Sequence, residues 1–233
     1  RPTVGWYSQS DETPWILDVT SSLNATNSSI SGNFTMLDDC VGFCSSAYTG
    51  TYLSVAIDNS NHNHVVFYNS VVGLENQYNI VYNEQTSPQC NDLSGFSTTS
   101  SVFIEENSDG IYNDVAIMPN QNRPGVAYMD GVNNELMYGF QTTSGCGGWN
   151  FELVDGSNAG YYNSLVYTSG DQPYIAYYAA TDADLKLATH NGSYWETEDV
   201  DTYGNVGQYL DMAIDGNDSV HIVYYDASTN SIK

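Results

Sequence analysis

The sequence has very few basic residues. Its 233 residues include 28 Asp and Glu but only 4 Lys and Arg, for a formal net charge of −24. Such a surface cannot neutralise phosphates, so nucleic acids and anionic membrane surfaces are poor partners. The acidic balance is typical of a secreted or salt-adapted surface, and binding of divalent cations is the alternative explanation.

Long apolar runs and helical patterns are also missing. No stretch approaches the roughly 18 to 20 consecutive apolar residues that span a bilayer. No segment has a 3.6-residue apolar period, so we expect little helix. Hydrophobic residues still make up 41% of the chain, and 20 tyrosines favour strands. The composition therefore predicts a folded, all-β protein.

Cysteine is scarce, with only four residues in the chain. Cys40 and Cys44 enclose three residues, and Cys90 and Cys146 lie in polar loops. We favour the disulfides Cys40–Cys44 and Cys90–Cys146, which fit an oxidising compartment. A zinc site is the rival interpretation, but no histidine is near either loop in sequence.

Five Asn-x-Ser/Thr sequons also indicate a secreted, extracellular protein. They begin at Asn24, Asn27, Asn33, Asn191 and Asn217. The last two fall in predicted turns and the first three in one polar loop, where a glycan can stay in water. The chain begins without an initiator Met or apolar leader, as expected of a processed mature protein.

A short pattern recurs along the chain, and it determines the predicted architecture. Five segments end on a tyrosine: Val4–Tyr7, Val65–Tyr68, Gly125–Tyr128, Tyr174–Tyr177 and His221–Tyr224. Four of these tyrosines follow another one by 15 or 16 residues, at Tyr52, Tyr112, Tyr162 and Tyr209. A repeat of this length indicates an array of small, similar units.

Each unit can be divided into four short strands, which favours a β-propeller over a β-sandwich. The turns after the second strands are rich in Asn, Asp and Gly, as hairpins require. We predict one propeller domain over residues 1–233, with four complete blades and an N-terminal half-blade, five-bladed if closed. The half-blade covers 1–20, and the blades cover about 29–83, 100–142, 149–190 and 194–233.

The ends of the repeat leave two explanations open. The natural chain continues and closes a five-bladed ring, or the half-blade is completed by strands of another subunit. The second explanation would produce a fibre.

The repeat resembles the secreted β-propeller repeat proteins of the sialidase-like and tachylectin-like kind. The matching segments are Met212–Asp215, His221–Asp226, Leu185–Ala188 and Gly192–Trp195. The resemblance implies a propeller fold, but propellers include enzymes, lectins and scaffolds alike. Sialidases hold the substrate carboxylate with three arginines, whereas this chain has only Arg1 and Arg123. The Asp-box of that family is absent as well.

Other chemistry has weak support in the sequence. The four histidines, His62, His64, His190 and His221, do not suggest a Ser-His-Asp or Cys-His site. No spacing nominates a carboxylate pair, although a five-bladed glycoside hydrolase stays an alternative. No cofactor is expected, except that the Asp58–Asn61 and Asp215–Asp218 turns offer oxygen ligands for Ca²⁺.

The repeated tyrosines are the remaining candidate site. Residues in such positions usually pack one blade against the next. The functional alternative is that Tyr52, Tyr112, Tyr162 and Tyr209 form equivalent sugar-stacking pockets, as in lectin propellers. The sequence thus predicts a non-enzymatic, extracellular, glycosylated module that is structural or adhesive and self-associates, with a lectin as the alternative.

Overall fold

The computed structural model describes residues 3–8, 13–18, 33–36, 48–71, 77–84, 102–106, 110–143 and 148–233. Every regular element in these ranges is a β-strand. Within them, no helix has the length and apolar character needed to cross a membrane.

The strands form five antiparallel sheets that follow one another along the chain. The first contains β1 (Thr3–Ser8), β2 (Thr13–Asp18) and β3 (Asn33–Met36). The second contains β4 (Tyr48–Ile57), β5 (Asn63–Val71), β6 (Gln77–Glu84) and β7 (Val102–Glu106). The third contains β8 (Gly110–Met118), β9 (Arg123–Asp130), β10 (Glu135–Gln141) and β11 (Trp149–Asp155). The fourth contains β12 (Tyr161–Tyr167), β13 (Pro173–Ala179), β14 (Asp184–His190) and β15 (Trp195–Asp201), and the fifth β16 (Val206–Ile214), β17 (Val220–Asp226) and β18 (Ser231–Ile232).

The sheets stack on one another in a propeller-like arrangement, which confirms the predicted fold class. The first strands β4, β8, β12 and β16 contact one another in succession, so they form the inner side of the stack. Separate apolar clusters fill the space between consecutive sheets. Val66, for example, packs with Val115 of the next sheet, and Ala176 packs with Met212. The core is therefore divided into layers, each made by two neighbouring sheets.

The strand pairing divides the chain at points that differ from the predicted unit boundaries. The sequence suggests that the strand at Trp149 opens a unit, but β11 pairs with β10 and closes the third sheet. The strand at Trp195 likewise pairs with β14 and closes the fourth sheet. The N-terminal half-blade gains β3, which pairs with β2 beyond residue 20. The difference arises because each outer strand forms a hairpin with the strand before it, so a unit begins at its inner strand.

The tyrosine that ends each repeat pattern has a structural role between sheets. The Tyr177 hydroxyl donates to Asp155 Oδ2 at 2.6 Å, and the Tyr224 hydroxyl donates to Asp201 Oδ2 at 2.7 Å. Each aspartate ends the outer strand of the preceding sheet. Burial, followed by the bond to Asp201, raises the pKa of Tyr224 to about 12. This bond explains why tyrosine recurs at the position.

The register corrects one member of the predicted repeat. Ser54 pairs with Val66 as Ser164 pairs with Ala176, so the counterpart of Tyr177 is Phe67 and not Tyr68. Phe67 is buried, so the position keeps its aromatic ring without the hydroxyl.

A belt of hydrogen bonds joins the turns after the inner strands. The Asn59 N–H donates to Asn122 Oδ1 at 2.7 Å, and the Asn120 N–H donates to Asp171 Oδ1 at 2.8 Å. The Ser169 N–H donates to Asp218 Oδ1 at 2.7 Å. The three acceptor residues have positive φ, a conformation that Asn and Asp tolerate better than most residues. The Asn- and Asp-rich turns therefore close hairpins and also tie neighbouring sheets together.

Candidate functional site

The four predicted tyrosines all occupy an unusual backbone conformation. Their φ angles are 54° for Tyr52, 51° for Tyr112, 51° for Tyr162 and 49° for Tyr209. Each lies where the pairing between the inner strand and its neighbour shifts register. Positive φ in a bulky residue costs on the order of 1 kcal/mol or more. A glycine would avoid this cost, so the side chains have a role that offsets it.

The four side chains form one continuous row, which we call the tyrosine arc. Ring centroids are 4.8 Å apart for Tyr52 and Tyr112, 4.8 Å for Tyr112 and Tyr162, and 4.5 Å for Tyr162 and Tyr209. The rings are tilted by 45° to 60° to their neighbours, as expected of favourable aromatic pairs. Burial, followed by the hydroxyl of Tyr209, raises the pKa of Tyr162.

The geometry of the arc differs from the predicted set of separate sugar-stacking pockets. Because neighbouring rings are in contact, no ligand-sized gap separates them, and they present one aromatic surface. Its ends are the most exposed members: Tyr52 is 42% exposed and Tyr209 is 68% exposed. The structure thus brings all four candidates together, and their packing role between sheets is evident from the ring contacts.

Next to the arc, a half-buried carboxylate joins three sheets. Asp114 accepts hydrogen bonds from Ser54 Oγ at 2.7 Å, from Ser164 Oγ at 3.2 Å and from the Leu165 N–H at 2.8 Å. Burial raises the pKa of Asp114, while these three bonds act in the opposite direction. The equivalent residue of the fifth sheet, Asp211, is exposed.

Among the described residues, no further sheet covers the outward side of the fifth sheet. Val66, Ala127 and Ala176 are completely buried under the next sheet, whereas their counterpart Val223 is 48% exposed. Ile80, Leu136 and Leu185 are also completely buried, whereas their counterpart Ile232 is 70% exposed. We call this surface, formed by Tyr209, Val223 and Ile232 with Asp211 and His221, the open face.

The covered sheets show what such a face contacts. An added Cβ on Gly160 would lie 3.2 Å from the Leu136 backbone, and one on Gly207 would lie 2.9 Å from the Leu185 backbone. In each unit, the glycine lies two residues before the tyrosine of the arc. Leu136 and Leu185 therefore fit against a Gly-x-Tyr segment of the following sheet. Ile232 has the same position in the fifth sheet, with its side chain exposed.

A cavity of about 170 Å³ lies between the third and fourth sheets. Its lining includes the rings of Tyr138 and Phe140 and the side chains of Glu152, Asp171 and His190. The two rings are stacked, with centroids 5.6 Å apart. Burial raises the pKa of Tyr138, and the negative charges of Glu152 and Asp171 act in the same direction. Sequence patterns do not indicate this site, since its residues come from distant strands.

The predicted glycosylation sites are only partly in the described residues. Asn191 and Asn217 are exposed and lie in turns, as predicted. The Oδ1 of Asn191 accepts from the Ser193 and Tyr194 N–H groups at 3.0 and 3.1 Å. Asn33 begins β3, and Asn24 and Asn27 lie outside the described residues.

The predicted disulfides also lie outside the described residues, because Cys40, Cys44, Cys90 and Cys146 all do. The two turns considered for Ca²⁺ are described. Asp58 Oδ1 accepts from the Ser60 and His62 N–H groups, and Asp215 Oδ1 accepts from the Asn217 and Ser219 N–H groups. Each turn thus uses a carboxylate oxygen for its own backbone. Across the described ranges, no group of three or more His, Cys, Asp or Glu side chains is placed to hold a metal.

The histidines are placed beside carboxylates. His64 is buried, its Nδ1 is 2.6 Å from the Tyr82 hydroxyl, and its Nε2 is 3.6 Å from Asp58. His62 and His221 lie beside the aspartates that begin their turns, and His190 lies 3.7 Å from Glu152. These contacts agree with structural roles for the histidines.

Comparisons with known proteins identify a fold. No protein-family model matches the chain, and no curated protein matches its sequence. Among solved structures, a mutant of AofleA from Arthrobotrys oligospora has a TM-score of 0.55 at 12% identity, over 99% of this chain and 64% of that one. This chain therefore spans less than two thirds of AofleA.

Two further structures have lower scores. A fucose lectin from Kordia zhangzhouensis in complex with methyl-fucoside has a TM-score of 0.40 at 11% identity, over 64% of this chain and 99% of that one. An exo-1,5-alpha-L-arabinanase from a bovine ruminal metagenomic library has a TM-score of 0.42 at 10% identity, over 97% of this chain and 89% of that one. At these identities the similarity concerns the fold alone, and the resemblance to sialidase-like or tachylectin-like repeats stays a prediction. The chain has a propeller-like, all-β fold.

Proposed function

We propose that this chain is a non-enzymatic, secreted and N-glycosylated propeller that acts as a structural or adhesive surface module and associates with further copies of itself. The observation that carries the proposal is the open face. At positions where three other sheets have completely buried side chains, it exposes Val223 and Ile232.

The open face has the composition of an internal surface. Here the exposed side chains include Tyr209, Val223 and Ile232. Complete burial of a Val or Ile side chain contributes about 1.5 to 3 kcal/mol, so covering the partly exposed pair contributes up to a few kcal/mol. A surface of this kind is stabilised by an interaction partner.

A second copy of the chain is the partner that fits best. The open face repeats, position by position, the surfaces that sheets of this chain use to pack on one another. A copy therefore brings sheets of matching shape and spacing. Contact between different surfaces of two copies is head-to-tail, and it generates rings or filaments according to the rotation between copies.

Addition of strands at the outer edge of the fourth sheet is less favourable. The outer strand of the fourth sheet, β15, exposes Glu196, Glu198 and Asp199. Charged side chains on an edge strand oppose pairing with another chain. We therefore propose that the open face of one copy packs against a sheet of another copy, rather than that strands are added at an edge.

Sedimentation velocity over a range of protein concentrations tests this proposal. Val223→Asp and Ile232→Asp each put a charge on the open face and are expected to shift the protein to the monomer. Val132→Asp is the matched control, because Val132 is 56% exposed in the turn between β9 and β10. It should keep the wild-type distribution. A wild-type protein that stays monomeric at all concentrations, or equal effects of all three variants, would contradict the proposal.

Carbohydrate binding is the second candidate, and the tyrosine arc favours it. Exposed aromatic faces stack on the apolar faces of sugars, and the hydroxyls of the arc can bond to sugar hydroxyls. The solved fucose lectin holds methyl-fucoside, but its TM-score is too low for an inference about this chain.

A glycan array and calorimetry test the second candidate. Tyr52→Ala removes an exposed end of the arc and is expected to weaken sugar binding at least about fivefold. Tyr203→Ala is the control, since Tyr203 is 83% exposed outside the arc. Absence of any sugar binding, or equal loss in both variants, argues against a lectin. Hydrolysis of any glycoside in the same panel would contradict the non-enzymatic proposal.

A further inference from the structure

The cavity between the third and fourth sheets is lined by two carboxylates. Glu152 and Asp171 both belong to its lining, and the lining contains no Lys or Arg. The guanidinium of nearby Arg123 donates to the Thr142 carbonyl and to Gln121. Gln121 belongs to the lining, so one positive charge lies beside the cavity against the two negative charges of Glu152 and Asp171.

Neighbouring side chains surround the Glu152 carboxylate at the edge of the cavity. His190 Nδ1 accepts a hydrogen bond from the Gly192 N–H at 3.2 Å. The Nε2 of His190 is 3.7 Å from Glu152 Oε2. Glu152 Oε2 also accepts from Trp195 Nε1 at 2.8 Å. These neighbours orient the carboxylate.

Aromatic rings line the same cavity. Tyr138 and Phe140 are stacked, and Trp195 packs edge-on against Tyr138 with centroids 5.1 Å apart. Aromatic faces attract cations by roughly 0.5 to 2 kcal/mol, according to how far the cation is desolvated. Carboxylates beside aromatic rings therefore favour a ligand with a positive charge on an apolar body.

We infer that this cavity binds an organic ammonium cation, carried by an amino sugar or by a polyamine. A volume of about 170 Å³ is well below that of drug-sized sites, so it accommodates one small ring or one alkylammonium chain. Anionic ligands are repelled by the two carboxylates and by the net charge of −24. Neutral sugars gain neither the charge interaction nor the cation–π contact.

The combination of residues is particular to this pair of sheets within the described part of the chain. Tyr138 pairs with Glu152 across β10 and β11. The equivalent pair is Tyr82 with Val102 in the second sheet. In the fourth sheet it is Leu187 with Glu198. Only the third sheet combines the aromatic ring with the carboxylate, and Glu198 offers a matched control.

Isothermal titration of the whole chain with three probes tests the inference. The probes are a glucosamine trimer, spermidine and the N-acetylated trimer, whose amides carry no charge. We expect binding of at least one amine and no binding of the N-acetylated trimer. Tighter binding of the glucosamine trimer would identify an amino sugar as the ligand, and tighter binding of spermidine would identify a polyamine.

Glu152→Gln is expected to weaken amine binding roughly three- to tenfold, while Glu198→Gln leaves it unchanged. Asp171→Asn is a second variant with the same expected direction, and it keeps an acceptor oxygen for the Asn120 N–H. Failure of both amines to bind would overturn the inference. Equal binding of the N-acetylated trimer, or equal weakening by Glu198→Gln, would overturn it as well. None of these results depends on self-association or on the tyrosine arc.

Discussion

Removal of the Asp114 carboxylate should loosen the contacts among three sheets at once. Asp114 lies in the third sheet, Ser54 in the second, and Ser164 and Leu165 in the fourth. Asp114→Ala leaves the two hydroxyls and the Leu165 N–H without their acceptor. Hydrogen bonds to charged groups contribute about 1.5 to 3 kcal/mol each, but removal of the buried charge recovers part of its desolvation cost. We expect a net loss of about 3 to 5 kcal/mol in the free energy of unfolding.

Two further variants test whether the loss in the free energy of unfolding comes from the hydrogen bonds of the Asp114 carboxylate. Asp114→Asn keeps one acceptor oxygen and should lose about 1 to 2 kcal/mol. Asp211→Ala is the control, because Asp211 is exposed and its carboxylate bonds to the adjacent Met212 N–H at 2.9 Å. It should change stability by less than about 0.5 kcal/mol.

Thermal and urea unfolding, followed by circular dichroism, measure these differences. For a domain of this size, 1 kcal/mol corresponds to about 2 to 4 °C in Tm, so Asp114→Ala should lower Tm by roughly 6 to 20 °C. If Asp114→Ala and Asp211→Ala have equal effects, the carboxylate does not join the sheets and the reasoning is refuted.

Three other predictions concern burial, backbone and modification. Burial lowers the pKa of His64 to about 4, against the attraction of Asp58. As pH falls, His64 therefore becomes protonated at a higher pH in the unfolded chain than in the folded protein. Stability should drop by about 3 kcal/mol between pH 6.5 and pH 4, and urea titrations should show a smaller drop in His64→Gln. Gly160→Ala should lose about 2 to 4 kcal/mol in urea unfolding, because φ is +95° and a Cβ meets Leu136. Gly216→Ala, where a Cβ meets nothing within 4 Å, should be nearly neutral, and equal effects would contradict this account. Asn191→Gln and Asn217→Gln should each remove one glycan from the secreted protein in intact-mass spectra, and an unchanged mass would exclude that site.

The sequence predicts the strands and turns well because their signals are local. The inner strands at Leu53–Ile57 and Asn113–Ile117 lie within β4 and β8, and the Asp58 turn follows β4. These signals are the alternation of apolar and polar residues, β-branched residues in strands, and turn-forming residues, and each extends over only a few positions. The division into units was harder, because the strand at Trp149 could pair with either neighbour in sequence. Only the hydrogen bonds between β10 and β11 decide this.

The candidate site was predictable in its members but not in its geometry. The recurrence of Tyr52, Tyr112, Tyr162 and Tyr209 identifies a shared position. The sequence does not show that each adopts positive φ or that the rings touch, because both depend on the register shift and on the neighbouring sheet. The dependence on register also explains why the sequence pattern selects Tyr68 as the counterpart of Tyr177, whereas the structure selects Phe67. A one-residue offset is invisible in a loose pattern and becomes clear when Ser54 pairs with Val66.

The open face and the cavity could not be read from the sequence. Val223 and Ala176 are ordinary strand residues, and their difference in exposure depends on whether a further sheet covers them. Glu152 and Asp171 come from two different sheets, and only the stacking places them in one lining. Tertiary arrangement, rather than residue type, determines both features.

Hydrogen exchange as a function of protein concentration tests self-association through the open face most directly. We predict that the amides of β17, from Val220 to Asp226, become more protected as concentration rises, because a second copy covers them. The amides of β13, from Tyr174 to Ala179, are already covered and should not change. Protection of β17 that is the same at all concentrations would contradict the proposed role of this surface.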